Sequence, residues 1–284
     1  MLCMLLDYNI GQVRQLWTYE RFFWGEKMML FCLRFLDAPV VFGPKHLQGT
    51  LVVFLLIALL LVLLLKIVKV ERHKRVLQIT TIFLLIMEAC KQGLSISVSG
   101  GTYPTWALPF QLCSVSLYLM PIVAFTKGRL AKIVTPGCFS IGMFASLAMF
   151  IYPSTVLGTL PGWLPLEGNG FPYISFAYHG AMLFFSMYLL FSKTYRPEAK
   201  EFYRAYVTLL FFAGLAMIAN AIFGTDMMFL NTGYGNPLQF ILLNNGRLVY
   251  MLFMSALAMI ILAIPYYPDL IHKMRSAAHL KHRI

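Results

Sequence analysis

GTLVVFLLIALLLVLLLKIVKVERHKR, residues 49–75, decides the fold. No charged side chain occurs from Gly49 to Leu65, and Lys66, Lys69, Arg72, Lys74 and Arg75 then crowd together. About 20 apolar residues, rising 1.5 Å each as a helix, cross the ~30 Å hydrocarbon layer of a bilayer. A Lys/Arg cluster directly after such a run marks the cytoplasmic side. The first span therefore runs from outside to inside.

Segments of spanning length recur at 76–98, 106–126, 133–152, 172–192, 205–224 and 247–266. With 60% hydrophobic and 12% charged residues, the 284-residue chain excludes an ordinary soluble domain. The reading is an all-α membrane protein, a bundle of about seven transmembrane helices over 46–268. An N-terminal extension and interfacial segment (1–45) precedes it, and a basic tail (269–284) follows. No soluble domain remains to carry a separate activity, so function must sit within or beside the bilayer.

The remaining basic residues repeat the pattern. Lys127, Arg129 and Lys132 follow the third span; Lys193, Arg196, Lys200 and Arg204 follow the fifth; Lys273, Arg275, Lys281 and Arg283 lie in the tail. The links 99–105, 153–171 and 225–246 hold no Lys or Arg. This alternation predicts an N-terminus outside and a C-terminus in the cytoplasm. The net charge of +12 reads as topology and contact with anionic lipid, so membrane phospholipids are the expected partners. The charges are dispersed over four short pieces, which argues against a nucleic-acid surface.

Trp106, Trp163, Tyr103 and Tyr173 fit an aromatic belt at the outer interface. GTYPTW (101–106) and GTLPGW (158–163) resemble each other, through duplication or through belt and turn chemistry converging twice. The five cysteines, Cys3, Cys32, Cys90, Cys113 and Cys138, have no paired spacing, so neither a disulfide framework nor a metal site is expected, and no cofactor is implied. Residues 1–27 form neither a span nor a signal peptide. Gly25-Glu26-Lys27 is encodable by a purine-rich, ribosome-binding-like stretch, and the expected translation start is Met28 or Met29.

Adjacent spans run in opposite directions, so distant residues share a depth. In the second span Glu88, Gln92, Ser95 and Ser99 follow spacings of four, three and four, which places them on one helical face, with Lys91 beside them. The third span, with Pro109 tolerated in its first turn, brings Gln111, Cys113, Ser114 and Ser116 to a similar level. The fifth brings Ser175 and His179. Asn220 closes the sixth, Asp226 and Asn231 lie just beyond, and Asn244, Asn245 and Arg247 open the seventh. Polar groups thus gather in the outer third, and the inner halves are almost free of them. Ionisable groups at this depth usually face the protein interior and a partner. Small residues of the sixth span (Ala213, Gly214, Ala216, Ala219, Gly224) point to a closely packed neighbour.

Each residue also has a plain reading. Glu88–Lys91 works as a structural pair, the serines bond to backbone, Asn220 clasps helices and Cys113 packs as a small hydrophobe. Four strings add to this. FGPKHL (42–47) leads into the first span, LPFQLC (108–113) opens the third, YHG (178–180) sits in the fifth and GTDMMFLNTGYGNP (224–237) follows the sixth. Together, over roughly 40–265, they resemble the YwaF-like family of bacterial integral membrane proteins, which resembles eukaryotic acyltransferases that remodel ether phospholipids through a cysteine and a histidine. The resemblance implies a bacterial cell-membrane protein, with Cys113 at the family's cysteine and His179 at its intramembrane histidine. Gln111 departs from a position that is often histidine in that family.

The chemistry so implied is phospholipid acyl transfer or hydrolysis, in an outer-leaflet-facing chamber. His179 would be the base, Cys113 the nucleophile and Glu88 or Asn220 the orienting partner. Gln111 and Ser114 would donate to the oxyanion, and Lys91 and Arg247 would hold phosphate, with Asp226 near the substrate. The alternatives are a transporter or channel for protons or a small solute, using Glu88, Lys91, His179 and Asp226, and a non-catalytic lipid-binding or sensor protein.

Overall fold

The computed structural model describes residues 42–153, 169–233 and 236–281. The start at Met28 or Met29, Cys3, Cys32, Trp163 and the GTLPGW string lie outside the described residues. Within them the chain is helical: α1 (Pro44–Ile67), α2 (His73–Val98), α3 (Val115–Phe125), α4 (Arg129–Ile151), α5 (Phe171–Phe191), α6 (Phe202–Phe223), α7 (Gln239–Ala263) and α8 (Tyr267–Lys281). Among the described residues six helical stretches are long and apolar enough to cross a membrane. α1 starts with Pro44 in its first turn, where a missing N–H costs nothing, and ends as the basic cluster begins.

The third predicted span is where the seven-helix expectation needs correction. Residues 106–114 are not part of a long helix, and α3 has only 11 residues. Pro109 is the reason. The residue before a proline is forced out of the α region, and Leu108 is extended with ψ 134°. What replaces the helix is a pair of single 3-10 turns, Thr105–Ala107 and Leu112–Ser114. At about 1.5 Å per residue α3 covers roughly half the hydrocarbon layer, and neighbours hold both its ends. Lys74 Nζ donates to the Thr126 carbonyl at 2.6 Å and the Gln78 amide to the Ala124 carbonyl at 3.2 Å. At the other end Tyr118 donates to the Pro109 carbonyl at 3.0 Å.

α7 also differs. It begins at Gln239 and is broken at Gly246, whose φ of 80° and ψ of 170° lie outside the helical region. The unbroken part starts at Arg247, so the expected span is present, preceded by an extra short helical piece. The tail read as 269–284 is helical as far as Lys281.

α5 packs against α1, α2 and α4, and α4 packs against α3, α5 and α6, so α4 and α5 form the centre. The apolar stretch of α5 is 72% buried and that of α4 61%, against 11% for α1. The exposed Leu, Val and Phe of α1 are what a lipid-facing helix presents. Close approaches use glycine: a Cβ on Gly137 of α4 would lie 2.8 Å from Thr208 Cβ of α6, and one on Gly180 of α5 would lie 3.0 Å from Val53 of α1. The predicted small-residue face of α6 is half right. Ala216 and Ala219 are buried, but Gly214 has open space around it and Gly224 is the left-handed cap of the helix.

One end of the bundle gathers the starts of α2, α4 and α6 with the basic residues; the opposite end gathers the starts of α1, α3 and α5. The inner halves are less bare than expected. Thr80, Thr81 and Ser186 are buried there, and His73 Nδ1 meets the Tyr188 hydroxyl at 2.7 Å. Both threonines donate to carbonyls one turn back in their own helix, which lets a hydroxyl sit in an apolar interior.

Candidate functional site

On α2, three side chains three and four residues apart share a face at its far end. Glu88 is buried, with Lys91 Nζ 2.8 Å from one carboxylate oxygen. The Gln92 amide donates to the other at 2.6 Å and also to the Ala107 carbonyl at 2.9 Å, which ties α2 to the first 3-10 turn. Partial burial and the Glu88 charge hold the phenol of Tyr103, on the link after α2, above the usual tyrosine range.

Lys91 stands 6.0 Å from the centre of the Tyr178 ring, at the outer range of a cation–π contact. Tyr178, near the start of α5, donates to the Cys113 carbonyl at 3.3 Å. Glu88, Lys91, Tyr178 and Cys113 therefore form a connected series across three elements.

His179 follows Tyr178 and is 4% exposed. Its Nδ1 lies 2.8 Å from the Ser175 carbonyl, one turn back. A carbonyl oxygen only accepts, so Nδ1 carries the proton and the neutral ring presents a bare lone pair at Nε2. Among the described residues Nε2 has no hydrogen-bond partner. The orienting group is thus the α5 backbone, and neither Glu88 nor Asn220 bonds to the ring. Cys113 and His179 reach one level, but no hydrogen bond joins thiol and imidazole among the described residues.

The other expected site residues divide between the series and a loop. The Asn220 oxygen accepts from Met227 N–H at 2.6 Å and Thr225 hydroxyl at 2.9 Å, and its amide donates to the Met227 carbonyl at 3.1 Å. Asp226 accepts from the backbone N–H groups of Asn231 (2.7 Å) and Thr232 (3.1 Å) and from the Thr232 hydroxyl (2.7 Å). Both residues shape the loop after α6. Arg247 is exposed at the α7 break and makes no hydrogen bond or ion pair among the described residues. Ser114 is buried beside Cys113 in the second 3-10 turn.

Gln111 joins loop and series, because its side-chain oxygen accepts the Met228 N–H at 2.9 Å. An N–H donor fixes which end of the amide is oxygen, so the Gln111 NH₂ remains as a donor. The loop it holds is strained: Met228 and Phe229 have φ of 55° and 58°, a region that non-glycine residues rarely enter. Such outliers persist only when the surroundings fix them, here Gln111, Asn220 and the Tyr250 hydroxyl, which donates to the Phe229 carbonyl at 3.0 Å.

Tyr178 is the residue that sequence reasoning missed, although the YHG string contained it. Tyr250 and the Ser175 carbonyl gave no sequence signal.

The model of the TMEM164 family matches residues 41–266. The chain belongs to the TMEM164 family. No curated protein and no solved structure matches the chain. The match spans α1 to the end of α7 and so covers the whole series from Glu88 to His179. Membership in TMEM164, a transmembrane family, agrees with the multi-pass architecture. YwaF-like kinship and acyl-transfer chemistry are not part of what the match says.

Proposed function

We propose that this TMEM164-family chain is a membrane lipid acyltransferase that passes an acyl group through Cys113. The observation carrying this reading is the His179 ring, buried beside the Cys113 level with Nδ1–H held by the Ser175 carbonyl and Nε2 unoccupied. That is the state a general base needs, and the half-buried Cys113 needs a base because the thiolate, not the thiol, is the nucleophile.

In the first half-reaction, Nε2 takes the Cys113 proton and sulfur attacks the ester carbonyl of a phospholipid. The tetrahedral oxyanion collapses to a thioester, and the lysophospholipid alkoxide leaves with the proton from His179. In the second, Nε2 takes the hydroxyl proton of an acceptor lysophospholipid, its oxygen attacks the thioester, and Cys113 leaves as thiolate and recovers the proton. With water as acceptor the product is a free fatty acid. The Gln111 NH₂ and Ser114 are the candidate oxyanion donors, and Lys91 balances the phosphate charge. Asn220 and Asp226 serve by shaping the loop that holds Gln111, and Arg247 has no step.

The test is intact mass measurement of the full chain after incubation with phospholipid. A hydroxylamine-labile acyl adduct is expected on the wild type and none on Cys113→Ala; an equal adduct on both defeats the mechanism. His179→Ala should fold and lack the adduct. A transport reading is favoured by one observation, the break of α7 at Gly246 beside exposed Asn244, Asn245 and Arg247. Proton or solute flux in protein-loaded liposomes, absent from protein-free ones, would select it instead.

A further inference from the structure

At the basic end, away from Cys113 and His179, the starts of α4 and α6 enclose a groove of about 600 Å³ lined by Arg129, Lys132, Ile133, Tyr203, Arg204 and Val207, with Gly128 at its rim. Arg204 donates to Glu201 at 3.2 Å and to the Tyr203 hydroxyl at 3.2 Å, which fixes its guanidinium. Arg129 and Lys132 are exposed and have no ion-pair partner among the described residues. Three cations against the single Glu201 carboxylate leave a local excess of positive charge. α4 starts there with no side-chain cap on its first N–H groups, so its dipole adds to the same field. Beside the charges lie apolar side chains, Ile133 at 42% and Val207 at 58% exposure.

We propose that this groove binds an anionic phospholipid of the leaflet at the basic end, with headgroup phosphate between Arg129 and Lys132 and its glycerol and upper acyl chain along Ile133 and Val207. The apolar strip is what selects a lipid over free phosphate, which has nothing to place there. The positive excess is what selects an anionic headgroup, because a choline or ethanolamine ammonium would be repelled. Tyr203 carries both properties, an apolar ring against the lipid and a hydroxyl at the charged side. The site is separate from the Cys113 series and does not rest on acyl transfer.

The experiment uses the full chain in detergent, with photoactivatable phosphatidylglycerol and photoactivatable phosphatidylcholine as probes and peptide mass spectrometry as readout. Phosphatidylglycerol should label peptides holding 128–133 and 203–208 in preference to phosphatidylcholine. Arg129→Gln with Lys132→Gln should lower that labelling about 25-fold, roughly fivefold per charge. Lys66→Gln with Lys69→Gln removes equal charge from the same end and should leave it unchanged. Equal loss in both pairs would mean a diffuse field and no site. Equal labelling by the two lipids would overturn the anionic preference, and displacement by inorganic phosphate would make it a soluble-anion site.

Discussion

The Tyr178 hydroxyl donates to the Cys113 carbonyl at 3.3 Å across 65 residues of sequence, joining α5 to the turn before α3. The same ring faces the Lys91 ammonium, so one side chain links the Glu88 pair to the candidate nucleophile. Tyr178→Phe keeps the ring and removes only the hydrogen bond. It should cost about 1 kcal/mol of stability, read as a small fall in thermal midpoint in detergent. It should also change the rate at which a thiol reagent modifies Cys113; an unchanged rate and midpoint would mean that the bond positions nothing.

Glu88 and Lys91 are coupled, and their coupling is measurable. Glu88 is buried and Lys91 is partly exposed, with side-chain exposures of 8% and 28%. Removing the carboxylate alone leaves an unpaired ammonium at membrane depth; removing both leaves no charge on that face. Glu88→Leu should therefore destabilise the protein more than Glu88→Leu combined with Lys91→Leu, by about 1 kcal/mol or more in a double-mutant cycle. Additive single effects would show that the pair is incidental.

Most of the fold was legible because membrane spans announce themselves by length and by flanking charge. α1, α2, α4, α5, α6 and the main part of α7 all fall where hydropathy places them. The third span departs from its hydropathy because Pro109 holds Leu108 out of the α region, which forbids the helix that a first-turn proline would allow. The break in α7 had a signal in Asn244-Asn245-Gly246, since Asn-Gly marks a turn. Depth matching puts Cys113 and His179 at one level but gives no hint of the Tyr178 bond to the Cys113 carbonyl. It could not assign hydrogen bonds, because depth fixes one coordinate and leaves helix rotation open. Asn220 shows this: it lies at the right level and points its amide into the loop at Met227.

That loop supplies a third prediction. Asn220 makes three of the bonds that hold Thr225 and Met227, and the next residues have strained backbone. Asn220→Ala should free the segment 225–232 while the α-helices keep their protection. Hydrogen exchange should show faster exchange of the Met227 and Met228 amides, with α4 and α5 unchanged. Exchange equal to wild type would remove Asn220 as the organiser of the loop.

Gly137 tests the packing that sets α4 against α6. A Cβ there would stand 2.8 Å from both Thr208 Cβ and Cγ2 and 2.9 Å from its Oγ1, so a methyl has no room unless one helix moves. Thr208 is held in place by its hydroxyl, which donates to the Arg204 carbonyl at 2.7 Å. Gly137→Ala should therefore destabilise the bundle by about 1–3 kcal/mol, the usual cost of overpacking, despite alanine's better helix propensity. Thr208→Gly in the same chain removes all three clashing atoms and should return most of the loss, whereas Gly214→Ala, with open space around it, should be neutral or stabilising. Thermal midpoints of the four proteins decide it. A Gly137→Ala protein as stable as wild type would show that α4 and α6 can move apart at no cost.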